Sequence, residues 1–112
     1  MNKSRRKKIK SVVVALENIT GYDSINLIRN EIENILWEEE DAYDNMPENL
    51  QYSMRGEASS EAIDSLQDAV DALEEAISII NEMNNNDKNK KLKEDDIDDL
   101  INQAIDSLED IY

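Results

Sequence analysis

Residues 62–83 read AIDSLQD-AVDALEE-AISIINE-M, three successive seven-residue units. Each unit opens with alanine (Ala62, Ala69, Ala76), continues with a β-branched residue (Ile63, Val70, Ile77) and carries a large aliphatic three positions further on (Leu66, Leu73, Ile80). On a helix this alternation of three and four places Ile63, Leu66, Val70, Leu73, Ile77 and Ile80 in one stripe. A strict seven-residue period demands a second helix against that stripe, from this chain or from a copy of it. The alanines flank the seam and let a neighbouring backbone approach.

The rest of the composition points the same way. A chain of 112 residues has room for one domain, with a modest core, since chains of this size bury only ~60–70% of their unfolded surface. Aliphatic residues recur mostly at helical spacing, and the Val, Thr and aromatic runs that favour strands are nearly absent. Gly21, Gly56 and Pro47 are the only strong backbone breakers. The expected fold is all-α: an antiparallel helical hairpin or coiled-coil-like bundle of three to four helices.

The chain has no cysteine and no histidine. Disulfides, thiolate zinc sites and imidazole acid–base chemistry are therefore excluded. Serines are plentiful, yet no histidine exists to activate one and no lysine stands in a catalytic motif. The reading is of a non-enzyme without cofactor or metal. Met1 to Lys8 looks like a charged export leader, but the apolar run behind it, Val12 to Leu16, stops at Glu17. A signal needs ~7–15 apolar residues, and no run approaches the ~20 that span a bilayer.

Formal net charge is −15, unevenly distributed. Six of the twelve basic residues lie in the first ten positions, and Lys88, Lys90, Lys91 and Lys93 form a late cluster. Between Ser11 and Asp87 nineteen carboxylates face only Arg29 and Arg55. Such a body repels nucleic acid and anionic membrane.

In chain order, residues 1–10 form a basic arm expected to fray, because Lys and Arg in a first turn oppose the helix dipole. Ile9, Val12 or Val13, Leu16 and Ile19 make a short first helix, closed by Gly21 in a left-handed cap. Asp23 or Ser24 caps the second; with Asp23 as cap, Tyr22 and Leu27 sit at hydrophobic-staple positions. Its stripe is Ile25, Ile28, Ile32, Ile35 and Leu36, then Ala42, Tyr43 and Met46, interrupted by Glu38-Glu39-Glu40-Asp41. Those adjacent charges repel unless cations or water relieve them. A turn near 45–52 is set by Pro47. The helical body spans 11–84, with its third helix starting between Ser53 and Ser60. A polar Asn/Lys linker covers 85–94, and an amphipathic helix occupies 95–112. Within that last helix Ala104-Ile105-Asp106-Ser107-Leu108 repeats Ala62-Ile63-Asp64-Ser65-Leu66 residue for residue. Helices two and three form the hairpin, helix one packs near its open end, and the last helix folds back or pairs between chains. Since a two-helix hairpin leaves seam exposed, a homo-oligomer is expected.

Three features are candidates for interaction. Asp64, Asp68, Asp71 and Glu75 recur every three or four residues along one helix face, with neighbours ~6 Å apart, close to phosphate spacing on a nucleic-acid strand. Glu38, Glu39, Glu40 and Asp41 form a second acidic group. Trp37 lies opposite the seam among carboxylates, where it can anchor a partner or pack under helix one or a second copy of the chain. Two weaker signals remain. The basic residues 3–10 are the only plausible direct contact for nucleic acid, though they more readily lie on the protein's own carboxylates. The spacing Asn85-x-Asp87-x-Asn89 up to Asp96 echoes a calcium loop, but lacks its glycine and its bidentate glutamate.

The turn Asp44-Asn45-Met46-Pro47-Glu48-Asn49-Leu50-Gln51, followed by Ser53, Arg55-Gly56-Glu57 and the AIDSL units, resembles a group of small acidic helical proteins encoded by bacteriophages and prophages. The resemblance covers about Ile25 to Ile80. It implies the cytoplasm of a bacterial host, where some small acidic phage proteins inhibit nucleic-acid-handling defence systems by mimicking DNA. The expected function is protein–protein interaction, with an acidic, nucleic-acid-mimicking surface engaging a basic host protein. The alternative is a self-assembling coiled-coil scaffold whose charge only keeps it soluble.

Overall fold

Helix boundaries follow the punctuation of the sequence. A computed structural model describes residues 1–85 and 90–111. Its helices are α1 (Lys3–Glu17), α2 (Ile25–Asp44), the single turn α3 (Glu48–Gln51), α4 (Met54–Asn85) and α5 (Lys90–Glu109). The fold is all-α.

The basic start is part of α1 rather than a frayed arm. Asn2 caps it by accepting the Arg5 amide at 2.8 Å through Oδ1, and its cations meet carboxylates of α2. At the far end Asn18 closes the helix, its amide and side chain both donating to the Val14 carbonyl. No described residue, Gly21 included, has positive φ, so the expected left-handed cap is absent. Nor is there a staple on α2: Ser24 is the cap, without a side-chain hydrogen bond, and Leu27 points to solvent.

Pro47 ends the α2 connection as expected, and α3 packs against the start of α4. Gly56 makes that approach possible. A Cβ there would lie 2.1 Å from the Gln51 carbonyl oxygen, so only glycine fits. Gln51 in turn donates from its side-chain amide to the Tyr43 carbonyl at 2.9 Å, tying α3 back to α2.

Ion pairs and hydrogen bonds give the helix directions. Lys8 near the start of α1 meets Glu38 near the end of α2; Ser59 at the start of α4 reaches Glu39; Lys93 at the start of α5 meets Glu82 near the end of α4. The long helices alternate up and down in a ring, α1 against α2, α2 against α4, α4 against α5, and α5 back against α1. The result is a rod of 55 × 21 × 18 Å. Helix α1 runs along the hairpin from its closed end, and not merely beside its open end. Helix α5 folds back within the chain and starts at Lys90, ahead of the expected Asp95. The linker is thereby shortened; its residues 86–89, which carry most of the calcium-like spacing, lie outside the described residues.

Burial shifts the seam by one step. Leu66, Val70 and Leu73 are in the core, whereas Ile63, Ile77 and Ile80 are only partly covered. Ala62, Ala69 and Ala76 do not flank the seam; they are buried within it. The cause is that α4 is covered by both α2 and α5, so its apolar arc is wider than a two-helix seam. Small side chains let α4 and α5 share the most extensive backbone contact of any helix pair. The duplicated pentapeptide shows this well. In both copies Ala and Leu are buried, Ile and Ser half-buried, and Asp exposed.

Candidate functional site

The acidic row lies where the seam dictates. Asp64, Asp68, Asp71 and Glu75 sit on the solvent side of α4, and all four are exposed. Asp68, Asp71 and Glu75 border a shallow groove whose opposite wall is α5, with Gln103, Asp106 and Ser107. Asp64 stands further toward the start of α4, in a recess shared with Arg6 and Asp110. Carboxylates of α5 thus extend the row across the groove, a feature that helical periodicity along α4 alone does not reveal. Among the described residues none of Asp64, Asp68, Asp71, Glu75 and Asp106 forms an ion pair; Asp71 accepts a hydrogen bond from Gln67 at 2.9 Å. Arg5, Lys8, Arg29 and Lys93 form their ion pairs elsewhere, with Glu33, Glu38, Glu39, Glu74 and Glu82.

The second acidic group does not form one surface. Asp41 is exposed, Glu40 half-buried, and Glu38 pairs with Lys8 at 3.1 Å. Glu39 turns inward, 1% exposed, and is not available to a partner. Its Oε2 accepts from Arg5 Nε at 2.8 Å, while its Oε1 accepts from Ser59 Oγ at 2.6 Å and lies 3.0 Å from the Met1 amino group. Burial alone would raise this carboxyl's pKa. The hydrogen bonds from Ser59, the amino group and Arg5, together with the amino group's charge, outweigh burial and hold it below the usual glutamate value. The four adjacent carboxylates are therefore tolerated because one is neutralised inside the bundle and another is paired at its edge.

No family model, curated protein or solved structure matches this chain. What the surfaces can do must come from their own chemistry.

Trp37 is 56% exposed. It does not pack beneath α1, but stands at the rim of the groove between α1 and α2, beside Glu38 and Asp41. In the ring of helices that face is opposite the α4–α5 face. The acidic row and Trp37, expected to serve one site, therefore cannot touch a single small partner together. Glu39, Ser59 and Arg5 form a cluster that the stripe reading of α2 missed, although Glu39 falls at the i+4 place after Ile35, on the apolar side of the helix. No described helix is long and apolar enough to cross a membrane.

Proposed function

We propose that this protein is a non-enzymatic binding protein whose α4–α5 carboxylate face receives a basic partner in place of a nucleic acid. One observation carries the reading. Asp64, Asp68, Asp71 and Glu75, extended by Asp106, stand exposed on a rigid rod, with no described ion pair among them. A cleft evolved for a phosphate backbone offers lysine and arginine at comparable spacing, and binding releases the counterions held by both surfaces. The resemblance to phage-encoded acidic proteins supplies the setting: the cytoplasm of a bacterial host, with a nucleic-acid-handling or defence protein as the target. Direct contact with nucleic acid through residues 3–10 has less support, because Arg5 and Lys8 are already spent on Glu39 and Glu38.

The second reading, a self-assembling scaffold, rests on apolar surface left for another copy, here the partly covered Ile63, Ile77 and Ile80. The test uses a bacterial lysate and immobilised protein at low and high salt, followed by competition of any captured protein with duplex DNA. The expected result is a basic protein captured at low salt, released steeply as salt rises and displaced by DNA. The variant D64N/D68N/D71N/E75Q should keep its circular dichroism and lose capture. Binding indifferent to salt and to these four substitutions would overturn the proposal.

A further inference from the structure

We propose that the face between α1 and α2 is a second docking surface, and that it takes a basic amphipathic helix with an arginine stacked on Trp37. The groove has a volume of about 610 Å³, and its floor includes the core side chains Val12 and Ile35. Trp37 presents its ring at the rim, and the carboxylates there are Glu31, Glu38 and Asp41. Lys8, the cation beside them, is held by Glu38 at 3.1 Å. Glu31 and Asp41 have no ion-pair partner among the described residues. A half-exposed tryptophan sharing its groove with the unpaired Glu31 and Asp41 suits a guanidinium, which stacks on the indole face while its edge hydrogen-bonds to carboxylate.

The surface continues along α2. Glu31 also borders the next recess, where Leu27 is 68% exposed. Leu27 and Trp37 are ten residues apart, about 15 Å along the helix. A helix of three turns laid between α1 and α2, as a further member of the bundle, meets both anchors on one face and the acids between them. A second copy of this chain is the poorer occupant, because at net charge −15 it is itself a polyanion.

Trp37 is the chain's one tryptophan, so its emission reports on this groove. The protein is titrated with a synthetic amphipathic helical peptide bearing leucine and arginine, and with the same peptide carrying glutamate for arginine. The arginine peptide should give a saturable blue shift and the glutamate peptide none. The variant E31Q/D41N should weaken binding roughly tenfold, while E57Q/E109Q, which removes two exposed carboxylates outside both proposed surfaces, should leave the titration unchanged. The proposal is overturned by no shift with the arginine peptide, by equal shifts with both peptides, or by a shift on concentrating the protein alone, which would make a second copy the occupant. Because the α4–α5 face is tested by capture with D64N/D68N/D71N/E75Q and not by Trp37 emission, failure here leaves that reading untouched, and the reverse also holds.

Discussion

Ser59 Oγ donates to Glu39 Oε1 at 2.6 Å across the α2–α4 interface, and neither side chain is reached by solvent. With Arg5 completing the cluster, the bundle carries one ionised carboxylate at its closed end and depends on it.

Removing Glu39 strips Arg5 and the Met1 amino group of their carboxylate, whereas removing Ser59 takes one hydrogen bond from a carboxylate that keeps both cations. Glu39→Ala is expected to cost about 3–5 kcal/mol, the usual penalty for breaking a buried ion pair, and Ser59→Ala about 1.5–3 kcal/mol for a hydrogen bond to a charged acceptor. Glu74→Gln, on the exposed Arg29 pair, should cost less than ~1 kcal/mol. Urea unfolding of the three variants gives the ranking. The pH dependence follows from the same group. Its pKa is lower folded than unfolded, so the unfolded chain binds the proton more tightly. Its stabilisation is complete above the unfolded glutamate value near ~4.3 and is lost as pH falls through the folded value. Glu39→Gln should flatten that acid limb of the stability curve relative to wild type.

The two glycines predict opposite outcomes. Gly56→Ala drives a Cβ into the α3 backbone at Gln51 and should lower stability by roughly 1–3 kcal/mol. At Gly21 no atom lies within 4 Å of the added Cβ and φ is not positive. Gly21→Ala should therefore stabilise, by about 0.4–1 kcal/mol, through the unfolded chain. Thermal melts of the two variants check the sign of each.

The position of the seam is tested by volume. Leu66→Ala should cost about 2–5 kcal/mol, and Ile63→Ala, at a half-covered site, distinctly less. Ala69→Leu and Ala76→Leu should each cost about 1–3 kcal/mol by overpacking the α4–α5 contact. If the alanines merely flanked the seam, those enlargements would be tolerated, and denaturant midpoints would tell the two apart.

Much of this molecule is legible residue by residue. The three-four spacing of Leu66, Val70 and Leu73, the stop at Pro47 and the repeat of AIDSL at 104–108 foretell which segments are helical and which sides are greasy. The exposure of Asp64, Asp68, Asp71 and Glu75 follows, since they occupy the opposite side of the same helix. Even Glu39 left a trace, in its seam register after Ile32 and Ile35, though four acids in a row read more naturally as a solvated cluster.

Periodicity is a local property: it records that one side of a helix is apolar, and nothing about which neighbour covers it. Only the closed ring decided that α5 returns onto α4, that Ala69 and Ala76 lie deep rather than at the margin, and that Arg5 meets Glu39. It also set Trp37 and the acidic row on opposite faces. Each of these depends on side chains distant in sequence meeting across packed helices, where desolvation and steric fit act together and no single stretch of sequence carries the answer.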